Sequence, residues 1–162
     1  YMTIKRMPYS LDFFRDVCKS NGMRVTRQKI AIYKELMKSD NHPTPEQILN
    51  RLKKDFSGLS LDTVYRTLCS FTEIGLIHQV EGFGTARRFD PKLEKHHHFQ
   101  CRKCRAIIDF TSEDYDHIEI PKDISRDCEV LNLRVTIEGY CKKCCIQQKE
   151  KKGAVLWKKR KN

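Results

Sequence analysis

Four of the eight cysteines form two Cys-x-x-Cys pairs, Cys101/Cys104 and Cys141/Cys144. Two intervening residues let both sulfurs of a pair turn toward one ion. Four thiolates suit zinc, held tetrahedrally at about 2.3 Å. Such a shell leaves no position for water, so the expected role is structural. Cys145 stands next to Cys144 and competes with it for the fourth place. Redox-active pairs are the alternative chemistry. Cys18 and Cys69 sit at helical positions and read as packing residues, and Cys128 receives no role.

Nitrogen and oxygen donors gather elsewhere. His96 and His98 are two residues apart on an expected strand, so both side chains leave the same face. His97 points the other way and reads as an exposed bystander. Asp90 precedes the pair, Asp109 follows it, and His42 lies in a loop ahead of the third expected helix. Three imidazoles and two carboxylates make a mixed shell that suits Fe²⁺ or Mn²⁺ better than a metal preferring thiolates. A hydrolytic metal centre could use the same residues. However, the sequence adds no nucleophile or oxyanion motif, and no enzyme activity is expected. A zinc-ribbon adaptor for protein partners is a further reading; it would show no metal-dependent preference for a DNA sequence.

The elements that must position these groups divide the chain. Ser10, Thr26, Thr44 and Ser60 each stand where an N-cap belongs, and Thr44-Pro45-Glu46-Gln47 has the pattern of a capping box. The helices they start turn inward Leu11, Phe14, Val17 and Cys18; then Ile30, Tyr33 and Met37; then Ile48, Leu49 and Leu52; then Val64, Leu68 and Phe71. Gly22, Ser57-Gly58 and Gly75 read as stops. Leu76-Ile77 and Arg87-Arg88-Phe89 flank Gly82-Phe83-Gly84 as a β-hairpin. Short helices followed by a hairpin spell a winged helix-turn-helix. Beyond it, 99–101 and 106–110 are strand-like. Leu131, Leu133, Val135 and Ile137 alternate with polar residues, as on a half-buried strand. The expected fold class is α+β: a winged-helix domain and hinge over 1–90, a small α/β domain with a four-cysteine zinc site over 91–145, and a basic tail over 146–162. A domain as short as 91–145 needs a metal or a partner subunit to hold it.

The chain has 162 residues, with 32 Lys and Arg against 21 Asp and Glu, a net charge of +11. Of this, +6 lies in 146–162. A positive body that also carries a helix-turn-helix pattern points to a polyanion such as double-stranded DNA. No apolar run approaches the roughly 18 residues needed to cross a membrane. No charged-then-apolar leader is seen, so a cytoplasmic protein is expected. Paired cysteines in a reducing compartment favour metal over disulfides.

Several stretches together resemble the ferric uptake regulator family of metal-dependent repressors. They are Arg27-Gln28, His42-Pro43-Thr44, Ser60 through Leu68, Gly75-Leu76-Ile77, Arg88-Phe89-Asp90, His96 through Cys101, Cys104, Ile108-Asp109-Phe110 and Gly139 through Cys144. The resemblance runs over about 10–145, in order. It implies a dimeric winged-helix repressor with a C-terminal dimerisation domain. The resemblance places a structural zinc on Cys101, Cys104, Cys141 and Cys144. It places a regulatory Fe²⁺ or Mn²⁺ on His42, Asp90, His96, His98 and Asp109. Aspartate at position 90 is similar to the peroxide-sensing members, whereas iron-sensing members more often carry glutamate. In the peroxide-sensing group, the positions matching His42 and His96 take up oxygen. Leu133 stands where many members have a histidine of an additional metal site, so that site is not expected here.

The DNA-reading element should be the fourth helix, 61–74. Thr63, Tyr65 and Arg66 lie off its apolar stripe and can face the major groove. Tyr65 can meet a thymine methyl or pack on the wing, and Arg27 is placed to bind phosphate. A homodimer would read a pseudo-palindromic operator. The expected function is peroxide-responsive repression, with iron- or other metal-responsive repression as the alternative.

Overall fold

A computed structural model describes residues 10–39, 41–80 and 87–147. The chain divides into two compact units, Tyr1–Glu94 and Lys95–Asn162.

The first unit opens with four helices: α1 (Leu11–Ser20), α2 (Arg27–Met37), α3 (Pro45–Leu52) and α4 (Leu61–Glu73). Each begins at a hydroxyl that accepts an otherwise unpaired backbone N–H. Ser10 accepts from Phe13, Thr26 from Lys29, and Ser60 from Thr63. Thr44 and Gln47 close the full capping box, at 3.0 and 3.4 Å. An N-cap of this kind contributes about 1 kcal/mol. Gly22 and Gly75 lie just past α1 and α4 with φ of +66° and +72°, the left-handed backbone that ends a helix cheaply only at glycine.

The core of this unit is a trio of rings. Phe14 and Tyr33 stack with centroids 4.6 Å apart, and Phe71 meets both edge-on at 5.5 and 6.2 Å. Ile32, Leu36, Ile48, Val64, Leu68, Leu76, Ile77 and Phe89 bury around them. The inward face of α2 is centred on Ile32, Tyr33 and Leu36, with Ile30 and Met37 only partly buried at its margin. The face is thus rotated from the one expected. Packing against both α3 and α4 demands a wider stripe than the three residues counted. α3 stops at Leu52 rather than running to Ser57-Gly58, because 53–55 turn to bring Leu59 into the core.

Two short antiparallel strands follow, β1 (His78–Val80) and β2 (Arg88–Asp90), with Gln79 opposite Phe89. The Gly82-Phe83-Gly84 turn expected between them lies outside the described residues, as does the basic tail from 148 onward.

The second unit is built on three strands, β3 (His97–Cys101), β4 (Ile107–Phe110) and β5 (Thr136–Gly139), in the order β4-β3-β5. β3 pairs antiparallel with β4 and parallel with β5. Two short helices, α5 (Glu113–Asp116) and α6 (Lys122–Asp127), lie in the crossover to the parallel strand. The alternating stretch from Leu131 forms a strand only from Thr136, and Leu131 is 87% exposed. Its apolar side chains have the period of a strand, but the ladder with β3 begins at Thr136, and of 131–135 it is Val135 that is tied to β3, its carbonyl accepting from the His98 N–H at 3.1 Å. Gly139 is a close approach: a Cβ there would lie 3.1 Å from the Phe99 ring.

Candidate functional site

The sulfur cluster forms where β3 ends. Cys101 is the last residue of β3, and the chain turns back on itself: Arg105 N–H donates to the Cys101 carbonyl at 2.9 Å, and Cys101 N–H to the Ala106 carbonyl at 2.9 Å. Arg105 sits in the left-handed region, at φ +62°, to complete this knuckle. The Arg102 N–H donates to the Gly139 carbonyl at 2.8 Å, fixing the knuckle to β5 and so to Cys141. The sulfurs of Cys101, Cys104, Cys141 and Cys144 all lie within 4.8 Å of one another, and those of Cys104 and Cys141 are 3.7 Å apart. A tetrahedral zinc with bonds of about 2.3 Å needs sulfurs about 3.8 Å apart. The cluster therefore fits zinc. Cys145 points away, its thiol donating to the Tyr140 carbonyl at 3.3 Å.

Burial works to raise the Cys101 thiol. Backbone hydrogen bonds from Cys141, Cys104 and Lys103, together with the Cys104 thiol, outweigh it, and Cys101 falls to about 6. Cys144 is pushed up to about 12, first by burial, then by hydrogen bonding among Cys141, Cys104 and Cys101 and by the charge at Cys101. One thiolate is thus ready for a cation, while its neighbour holds its proton until a cation arrives. Cys18 is buried in the first unit's core, 3.8 Å from the Met23 sulfur, and burial raises its thiol: it is a packing residue.

The nitrogen and oxygen donors occur in two sets. In the second unit, His96 and His98 bring their Nε2 atoms to 3.0 Å, and His98 Nε2 lies 3.6 Å from an Asp109 carboxylate oxygen. The sheet register explains this: His98 and Asp109 are direct partners across β3 and β4, and such partners share a face. Two donors about 2.1 Å from an octahedral ion, in adjacent positions, stand about 3.0 Å apart. This set therefore suits an N/O-preferring cation. In the first unit, His42 Nε2 lies 3.5 Å from an Asp90 carboxylate oxygen, and both residues are buried.

His97 is not an exposed bystander. It is fully buried on the opposite face of β3, where Tyr115 and Phe110 pack against its ring. Its Nδ1 accepts from the Val135 N–H at 3.2 Å, and its Nε2 lies 3.2 Å from an Asp116 carboxylate oxygen. Lys95 reaches the same aspartate. The sequence missed this because α5, which carries Tyr115 and Asp116, is too short to show a period.

On α4, Arg66 is exposed, while Thr63 and Tyr65 are placed differently: Thr63 and Tyr65 are half-buried. The Thr63 hydroxyl is engaged with that of Ser60 at 2.9 Å. A cavity of about 240 Å³ beside α4 is lined by Thr63, Arg66 and, from α2, Lys29, a basic residue that sequence reading passed over. Arg27 is exposed at the start of α2. The Arg87 guanidinium sits over the Tyr65 ring, 5.5 Å from its centroid, and donates to Gln79 at 3.3 Å. Tyr65 thus packs against a residue flanking the wing strands and keeps part of its ring exposed.

The sequence model of the ferric uptake regulator family matches residues 20–138. The chain belongs to the ferric uptake regulator family. The peroxide-responsive repressor PerR of Staphylococcus saprophyticus is 35% identical over 126 residues, covering 78% of this chain and 85% of that protein. The ferric uptake regulator of Francisella tularensis, solved with iron, aligns with a TM-score of 0.61 at 28% identity, over 76% of this chain and 95% of that one. That of Helicobacter pylori shares the fold, with a TM-score of 0.71 at 23% identity over 89% and 97% of the two chains. As a family member the protein is a metal-responsive repressor, with the winged-helix and zinc-site α/β architecture expected from its sequence. Among the described residues no helix is long and apolar enough to cross a membrane.

Proposed function

We propose that this family member represses transcription as a homodimer on pseudo-palindromic double-stranded DNA and is released by hydrogen peroxide. Asp90 beside His42 carries the reading: an aspartate, not a glutamate, accompanies the imidazole, 3.5 Å from its Nε2. Similarity to a peroxide-responsive repressor supports it. In this reading Cys101, Cys104, Cys141 and Cys144 hold structural Zn²⁺. His42, Asp90, His96, His98 and Asp109 hold a regulatory Fe²⁺ or Mn²⁺. Arg27, Thr63, Tyr65 and Arg66 contact the operator. Bound Fe²⁺ would supply activation of peroxide, one of whose oxygens would go to an imidazole carbon while the other leaves as water, a two-electron exchange for which Mn²⁺ is a poor substitute. The chain's own residues do the rest. His42 and Asp90 belong to the DNA-binding unit, and His96, His98 and Asp109 to the other. A cation needing all five selects one arrangement of the protein, which couples metal and DNA affinities reciprocally. A ligand histidine that gains oxygen at the carbon between its ring nitrogens carries a proton on both of them and no longer offers the cation a lone pair, so the selection lapses.

The test is peptide mass spectrometry on zinc-loaded protein carrying Fe²⁺, or Mn²⁺ as control, after a small excess of peroxide. One added oxygen on the His42 or His96 peptide, with iron only, is the expected result. Unmodified histidines, with the iron form still on DNA, would instead make the protein an iron- or other metal-responsive repressor.

A further inference from the structure

His42 stands on a backbone that its sequence disfavours. Its φ is +46°, left-handed for a residue that is not glycine. The residue before a proline is also normally held to extended backbone, and Pro43 follows it. Such a conformation persists only where neighbours impose it. Three consecutive loop carbonyls are gripped by two consecutive residues of β2. The Arg88 guanidinium donates to the carbonyls of Asn41, at 3.4 Å, and His42, at 3.1 Å. The Phe89 N–H donates to the Pro43 carbonyl at 3.2 Å. The next residue, Thr44, is fixed by the α3 capping box. Arg88 and Asp90 share one face of β2, with Phe89 buried on the other. The strand that brings Asp90 to the His42 ring therefore also holds the His42 backbone.

We propose that Arg88 is a positioning residue for the regulatory metal: it binds no ion, but holds His42 in the left-handed turn from which its imidazole can serve as a ligand. The inference rests on the reading of His42 as a ligand. Both bonds leave a single guanidinium nitrogen, Nη1, whose two N–H groups reach the adjacent carbonyls and so fix the turn at His42. Groups that orient metal ligands typically change affinity by about 10- to 100-fold when removed.

Full-length zinc-loaded protein would be titrated with Mn²⁺ as wild type, Arg88→Gln, His42→Ala and the double variant, with zinc content and far-ultraviolet circular dichroism recorded for each. Each single substitution should weaken Mn²⁺ binding about tenfold or more. The double variant should bind no more weakly than His42→Ala, since a positioning residue has no effect once its ligand is gone. Arg88→Lys should recover part of the loss, and it takes the place of Arg88→Gln in the cycle if that variant does not fold. Wild-type affinity in the Arg88 variant, beside weak binding in His42→Ala, overturns the proposal. So do losses that add in the double variant, which would mean Arg88 acts through general stability. Unchanged binding in His42→Ala would overturn the ligand reading itself, and with it this inference.

Discussion

Proton competition at the cysteine cluster is a property of single residues. Cys101, at about 6, is a thiolate across the neutral range, whereas Cys144, at about 12, keeps its proton until a cation displaces it. A cysteine ligates zinc only as its thiolate. Cys101 is therefore ready above pH 6 and must itself be deprotonated below it. Apparent zinc affinity of the reduced, metal-free protein should fall more steeply with each pH step below 6 than above it, because one more proton must then leave. Competition with a chelator of known affinity across pH 5 to 8 would measure this. A slope that does not steepen near 6 would mean that the hydrogen bonds from Cys141, Cys104 and Lys103 do not hold Cys101 as a thiolate. The cysteine spacing was enough to see these four ligands, since two Cys-x-x-Cys turns leave few geometries. It was not enough to choose between Cys144 and Cys145, which differ by one position and were separated only by where the turn after β5 aims each sulfur.

At the scale of elements, caps and helices were legible because they are local. All four N-cap hydroxyls act where the sequence put them, and the apolar stripe of α4 buries Val64, Leu68 and Phe71 as its period requires. What escaped was nonlocal: the true inward face of α2, the partner of Tyr65, and the burial of His97 under α5. Pairings such as Arg87 with Tyr65 leave no trace in a periodicity. The exposed face of α4 yields a prediction. Arg66 lies 3.9 Å from Asp62, and both side chains are more than 70% exposed. A surface pair of this kind contributes little to folding. Arg66→Ala should therefore leave thermal stability near wild type yet lower operator affinity about tenfold or more, the worth of one good base or phosphate contact. Fluorescence anisotropy at fixed salt and saturating Mn²⁺ would read it. Unchanged affinity would move the DNA-reading surface off this face of α4.

For the whole molecule, the second unit poses a packing problem that one chain leaves unsolved. The register sets Ile108, Phe99 and Ile137 in one row across β4, β3 and β5. Ile108 is 48% exposed and Ile137 37%, and Leu131 is almost fully so. Parallel strand pairs such as β3/β5 are rarely left open on a face, and apolar rows of this kind mark surfaces that another molecule covers. A second copy of the chain is the occupant that the proposed homodimer requires. It would also give the small α/β unit the apolar burial that its length denies it. Ile108→Asp would place a charge at the β4 end of that row while leaving the cysteine cluster untouched. Sedimentation at micromolar concentration should then show monomer where the wild type is dimeric, with zinc content unchanged. A dimer that persisted would put the interface elsewhere. In the proposed reading, the two copies of α4 in a dimer would engage both half-sites together, and a monomer would forfeit the effective concentration that links them. The Ile108→Asp protein should therefore bind the full operator no better than an isolated half-site, even with both metals bound.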